Sequence, residues 1–159
     1  MSPGNVQETA FEKQRGISQV EVRGGFAQVH VSRLADPVHE NRLQVLKAIA
    51  EAGVSVDFLK LTPSGVSFVI AENATTEIET ALGQFQAKLT IRKDRSVVMV
   101  HAVNMRDEEG LTANVVQKAI SSGVVIDHIS DMHDRMLMVV ESKFAPTIEN
   151  LFKGVANGR

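Results

Sequence analysis

The sequence predicts an α+β protein of two tandem ferredoxin-like units, each a strand-helix-strand-strand-helix-strand series forming an antiparallel sheet with both helices on one face. Three observations predict it. The chain repeats itself at an offset of 70: Val45, Gly53, Val54, Asp57, Val69, Ile78 and Glu79 recur as Val115, Gly123, Val124, Asp127, Val139, Ile148 and Glu149. Within each copy, apolar residues alternate in short runs and then recur at helical spacing. Finally, 159 residues with 43% hydrophobic content suffice for two units of about 65 residues, a size at which each core is small and leans on a neighbour.

Taken in order, residues 1–16 are polar, contain Pro3, Gly4 and Gly16, and carry no core pattern, so they read as a flexible tail. The first unit spans 17–94 and the second 95–159. A short alternating segment from Ile17 through Val22 leads to the turn pair Gly24-Gly25, after which Ala27, Val29 and Val31 alternate with polar residues as a half-buried strand. The first helix of copy one places Leu43, Leu46, Ile49 and Ala50 on one stripe, with Val45 at its edge, and Gly53 stops it. Copy two repeats this with Val115, Val116, Ala119 and Ile120, then Gly123. Next comes a hairpin, in which Val54, Val56 and Phe58 lead to the turn Thr62-Pro63-Ser64-Gly65 and the return strand Val66, Phe68 and Ile70. The matching turn in copy two is Asp131-Met132-His133-Asp134. The second helices carry Ile78, Ala81, Leu82 and Phe85, and Ile148, Leu151, Phe152 and Val155, each at i, i+3, i+4, i+7.

Composition excludes several functions. Lys plus Arg is 17 against 19 for Asp plus Glu, a net charge of −2 with the signs interspersed, so there is no basic stripe for nucleic acid. Aromatics are 4% with no Trp or Tyr, which leaves no base-stacking platform. Zero Cys removes disulfides, thiolate metal sites and a cysteine nucleophile. No apolar run approaches a membrane span and the start lacks a signal-peptide pattern, so the expected location is the cytoplasm. Gly24-Gly25 is not followed by Lys-Ser/Thr, so there is no phosphate loop.

Three features remain as candidate chemistry. His128, Asp131, His133 and Asp134 have metal-ligand side chains, but their spacing crosses a turn and fits a solvated hairpin better; the same cluster is the one candidate for a small enzyme. His30 and His101 hold near-equivalent strand positions on the face opposite the valines, where they could serve in a sheet-to-sheet contact or as a pH-sensitive pair, although partly exposed strand histidines are the simpler reading. The third feature is the pair of segments that precede the first helices, 34–41 and 105–112. A loop ending at a helix N-terminus presents free N–H groups and the positive end of the helix dipole, which suit a carboxylate.

The repeat, the stretch KAIAEAGVSVDFLKLTPSGVSFVI and the stretch NMRDEEGLTANVVQKAISSGVVIDHI resemble the tandem ACT domains at the C-terminus of aspartokinases, over residues 17 to about 155. The resemblance implies a non-catalytic regulatory region, similar to a beta-type regulatory subunit, that binds an amino acid of the lysine, threonine or diaminopimelate type. It also implies feedback inhibition of lysine biosynthesis, a homodimer, a catalytic kinase subunit as a further partner, and no cofactor. Carried over residue by residue, the effector-binding positions are Asp36, His39, Glu40, Asn41, Ser55 and Asp57 in copy one, and Met105, Arg106, Gly110, Leu111, Val125 and Asp127 in copy two. Gly110 matches the glycine with which the family's loop opens its helix, whereas Glu40 stands there in copy one. The departure at Glu40, with the pair Glu108-Glu109, motivates the alternative of a dimerisation module of the same fold that has lost ligand binding. The kinase domain that such a region accompanies does not fit before residue 17.

Overall fold

The computed structural model describes residues 17–102 and 110–156, the last four by their backbone. Among the described residues six strands and four α-helices follow in the order β1 (Ile17–Ser32), α1 (Val38–Glu51), β2 (Asp57–Thr62), β3 (Gly65–Ala71), α2 (Thr75–Leu82), β4 (Lys88–Ala102), α3 (Leu111–Ser121), β5 (Ile126–Asp131), β6 (Arg135–Glu141) and α4 (Ala145–Ala156). A single 3₁₀ turn leads into each of α2 and α4. The strands follow the order β2-β3-β1-β4-β6-β5.

The described residues divide into two compact units, 25–95 and 17–24 with 96–102 and 110–156. In the first unit the order is β2-β3-β1-β4, with β1 antiparallel to β3 through the pairs Ala27–Ile70, Val29–Phe68 and Val31–Val66. In the second it is β1-β4-β6-β5, with β5 antiparallel to β6. Each is the predicted ferredoxin-like sheet.

Two expectations change here. The repeat places a boundary between 94 and 95 and a strand at 17–22 in the first unit, but residues 17–24 group with the described residues after 95. Consequently the second unit takes its outer strand from the lead-in at its N-terminal side, and the described chain after β6 ends in a helix instead of the closing strand its repeat suggests. Moreover, Gly24-Gly25 makes no turn. β1 runs unbroken through both glycines, and Gly25 at φ +83° is absorbed within it.

The helix-facing core of the first unit joins Ala27, Val29, Val31, Val45, Ile49, Phe68, Ile70, Ile78 and Leu82. That of the second joins Val98, Val100, Val115, Ala119, Met136, Met138, Ile148 and Phe152. Burying such a side chain is worth about 1.5–3 kcal/mol, so these faces hold the helices in place. The stripes of α2 and α4 are as predicted for Ile78, Leu82, Ile148 and Phe152; Val155 lies where no side chain is described. Phe85 packs on the core from beyond the end of α2.

The phase of α1 differs from expectation. Val45 and Ile49 are buried with Leu46 and Ala48 beside them, while Leu43 is 54% exposed and Ala50 is also exposed. In α3 the same rotation buries Val115 and Ala119 and turns Ile120 outward. Val54 and Val56 precede β2 instead of belonging to it. The hairpin turn at 62–65 is as predicted, and Gly65 is required there: a Cβ would lie 1.8 Å from the carbonyl oxygen of Val31.

Candidate effector site

In the first unit the segment between β1 and α1 is tied to the β2–β3 turn. The N–H of Leu34 donates to the Ser64 carbonyl at 2.9 Å, and the N–H of Arg33 to Ser64 Oγ at 3.2 Å. From the fifth residue of α1, Arg42 donates through Nε to the Gly65 carbonyl at 2.9 Å and through its guanidinium to the carbonyls of Pro63, at 3.3 Å, and Thr62. Asn41 Nδ2 donates to the Ala35 carbonyl at 2.7 Å and to the Pro37 carbonyl at 3.2 Å. These bonds occupy carbonyls that a loop otherwise leaves to water, and they hold the start of α1 against the turn.

This corrects the reading of 34–41 as a loop. Helix α1 begins at Val38, so His39, Glu40 and Asn41 are helical, with His39 and Glu40 exposed in the first turn and Asp36 exposed ahead of it. Glu40 places a carboxylate at the positive end of the helix dipole, where it competes with any anionic ligand.

The second unit differs at the equivalent point. Gly110 precedes α3 in the left-handed conformation, φ +79°, ψ −1°, without a side-chain cap, and its carbonyl accepts the N–H of Asn114 at 2.9 Å. A Cβ there would meet nothing closer than Asn114 Nδ2 at 4.0 Å, so the space over the helix start is open among the described residues. The first turn of α3 contains no acidic residue. Among the described residues nothing occupies its leading N–H groups, which with the dipole suit an anion. Leu111 begins this helix; Met105 and Arg106 lie outside the described residues.

The other predicted positions do not join these. Ser55 and Asp57 follow the far end of α1, a helix of 14 residues and therefore about 20 Å from its start. Val125, 61% exposed, and Asp127 follow the far end of α3 in the same way. Each unit alone therefore divides its predicted residues between the two ends of one helix.

Of the remaining titratable groups, Asp134 in the β5–β6 turn is hydrogen-bonded by Arg135 Nε at 3.2 Å, which holds its carboxyl below the usual value, with further help from the charge of Arg135 and from His101. His101 Nε2 stands 3.4 Å from Glu21 Oε1 on β1, and His30 lies opposite Ser67 in the β1–β3 ladder. Among the described residues no group of three His, Asp or Glu side chains is placed to hold a metal ion. Also among them, no helix is long and apolar enough to cross a membrane.

No family model matches the chain. Aspartokinase 1 of Bacillus subtilis (strain 168) is 26% identical over 144 residues, which is 90% of this chain and 33% of that protein. The regulatory subunit of aspartate kinase from Thermus thermophilus, in a ligand-free form, superposes with a TM-score of 0.74 at 18% identity, covering 88% of this chain and 98% of that one. The fold is the tandem ACT fold of aspartokinase regulatory regions. Escherichia coli aspartokinase III, solved in complex with lysine and aspartate, shares it with a TM-score of 0.69 at 11% identity, over 87% of this chain and 33% of that one. The chain spans about a third of the full-length enzymes it matches and nearly all of the separate regulatory subunit.

One feature of the first ACT unit went unseen in the sequence. Two cavities of about 480 and 300 Å³ line the α1–α2 seam, with Ala48, Glu51 and Gln84 bordering both. The available signal was a difference between copies: Ala48 and Ala81 border the larger cavity, whereas Lys118 and Leu151 stand at the equivalent places in the second ACT unit.

Proposed function

We propose that this chain is a non-catalytic allosteric module that regulates an aspartokinase-type enzyme of amino-acid biosynthesis, and that it binds a small amino acid at the start of α3. The carrying observation is Gly110: a left-handed residue with open space above it among the described residues, at the head of a helix whose first turn has no acidic side chain. A ligand carboxylate gains there from N–H groups and dipole, the interaction Glu40 already supplies to α1 from within. The complex of E. coli aspartokinase III with lysine supports an amino acid of the lysine, threonine or diaminopimelate type. Because the predicted positions of one unit lie at opposite ends of a helix, a complete pocket needs groups from beyond that unit, which fits a homodimer acting on a catalytic kinase subunit. The ligand alters that partner only to the extent that it binds two arrangements with different affinity.

The test is thermal unfolding of the chain with lysine, threonine, methionine and meso-diaminopimelate, each far above its dissociation constant. Ligand at about 100 times that constant adds about 2.7 kcal/mol to the folded state. A selective rise in midpoint with one amino acid, abolished by Gly110→Glu, is the expected result. Flat curves across the panel overturn effector binding and leave an assembly module.

A further inference from the structure

We propose that the α1–α2 seam of the first unit is a docking trough for a basic helical segment of a partner protein. This rests on the trough alone and is independent of the amino-acid site at α3. Ala48 from α1, Ala52 just beyond its end and Ala81 from α2 line it with side chains small enough for another helix to approach closely. The two cavities share Ala48, Glu51 and Gln84 and so form one trough that follows α1 from Gln44 to Ala52, roughly 12 Å or two helical turns.

Charge selects the occupant. Glu51 on α1 and Glu77 on α2 place a carboxylate on each wall, and neither has an ion-pair or hydrogen-bond partner among the described residues. Lys47 borders the smaller cavity only. A segment with Lys or Arg on both flanks and small apolar residues between them answers both walls and the floor, whereas an acidic segment is repelled. A free small amine meets the charge but leaves most of the 480 Å³ and its extension unfilled.

The second unit serves as an internal control. At the positions of Ala48 and Ala81 it carries Lys118 and Leu151, and at those of Glu51 and Glu77 it carries Ser121 and Thr147. The second unit thus carries bulkier residues and no carboxylate at these four positions, and the alanine-lined acidic seam belongs to the first unit.

The experiment measures binding of a fluorescent amphipathic helical peptide of about 18 residues, long enough to be helical, with Lys and Arg flanking an Ala/Leu stripe, to the full chain. A Glu-flanked peptide and 1,4-diaminobutane form the other arms. The double variant Ala48→Lys/Ala81→Leu transplants the second unit's residues, and Glu51→Gln/Glu77→Gln removes the charge while keeping the shape; circular dichroism and unfolding midpoints confirm that both fold. The basic peptide is expected to bind in a salt-sensitive manner and to lose about tenfold or more in affinity to each variant. No binding, equal binding of the acidic peptide, or affinity unchanged in the transplanted variant overturns the proposal. Full displacement of the peptide by submillimolar diaminobutane overturns it in favour of a small-cation site.

Discussion

The two units share one fold and differ in where each is closed. In the first, Asn41, Arg42 and Ser64 lock the start of α1 to the hairpin turn, while the α1–α2 seam stands open between alanines. In the second, the space over Gly110 is open among the described residues, and bulkier residues, Lys118 and Leu151, stand at the seam positions. A repeated fold thus lets the two copies diverge at the surface, because the buried sheet and helix stripes alone already hold the architecture.

The sharpest test of that difference is at the hairpin. Gly65→Ala forces a Cβ into the backbone of Val31 and is expected to cost about 3 kcal/mol or more, read as a fall in the denaturant midpoint at unchanged slope. Its equivalent in the second unit is Arg135, so Arg135→Gly is expected to change stability far less. Next, Arg42→Ala leaves the carbonyls of Thr62, Pro63 and Gly65 without their charged donor and is expected to cost about 1–3 kcal/mol. The residue equivalent to Arg42 is Thr112, and Thr112→Ala, having no such network to break, serves as the control.

Smaller effects follow at the helix starts. Gly110→Ala strains a left-handed residue and is expected to cost about 1 kcal/mol, and with it any amino-acid response. Glu40→Gly, which copies the second unit's residue into α1, costs about 0.5–1 kcal/mol for the opposite reason, since the backbone there is already helical and glycine only loosens it. The smallest effect is at Asp134. Its folded pKa is depressed below 3.8, so its contribution is present above that value and is lost as pH falls through the lower folded value. Asp134→Asn removes this contribution, and because the group is fully exposed the change is confined to a slight shift in the acid-unfolding midpoint.

Much of the fold was legible because it rests on periodicity. The offset of 70, the glycines that end α1 and α3, and the stripe Ile78–Leu82 each carry a local signal that tertiary context preserves. The phase of α1 was not legible, since Leu43, Leu46 and Ile49 form as regular a stripe as Val45, Leu46 and Ile49, and only the sheet beneath decides between them. The run through Gly24-Gly25 was misread as a turn because two glycines between alternating segments are the usual mark of one. Of the candidate site, Gly110 was legible as a helix opener, whereas the tying of 34–41 was not: it depends on Arg42 reaching a turn some twenty residues away.

The long first strand also bears on the order in which the protein can assemble. Residues 25–95 form one contiguous stretch, so that unit has all its parts as soon as it has been synthesised. Residues 17–24 emerge before it yet belong to the unit completed last, and must stay unpaired with β4 until Ser96–Ala102 arrives. A fragment cut at residue 25 therefore keeps the first unit whole and leaves the second with a bare strand edge, exposed to pairing with the wrong chain.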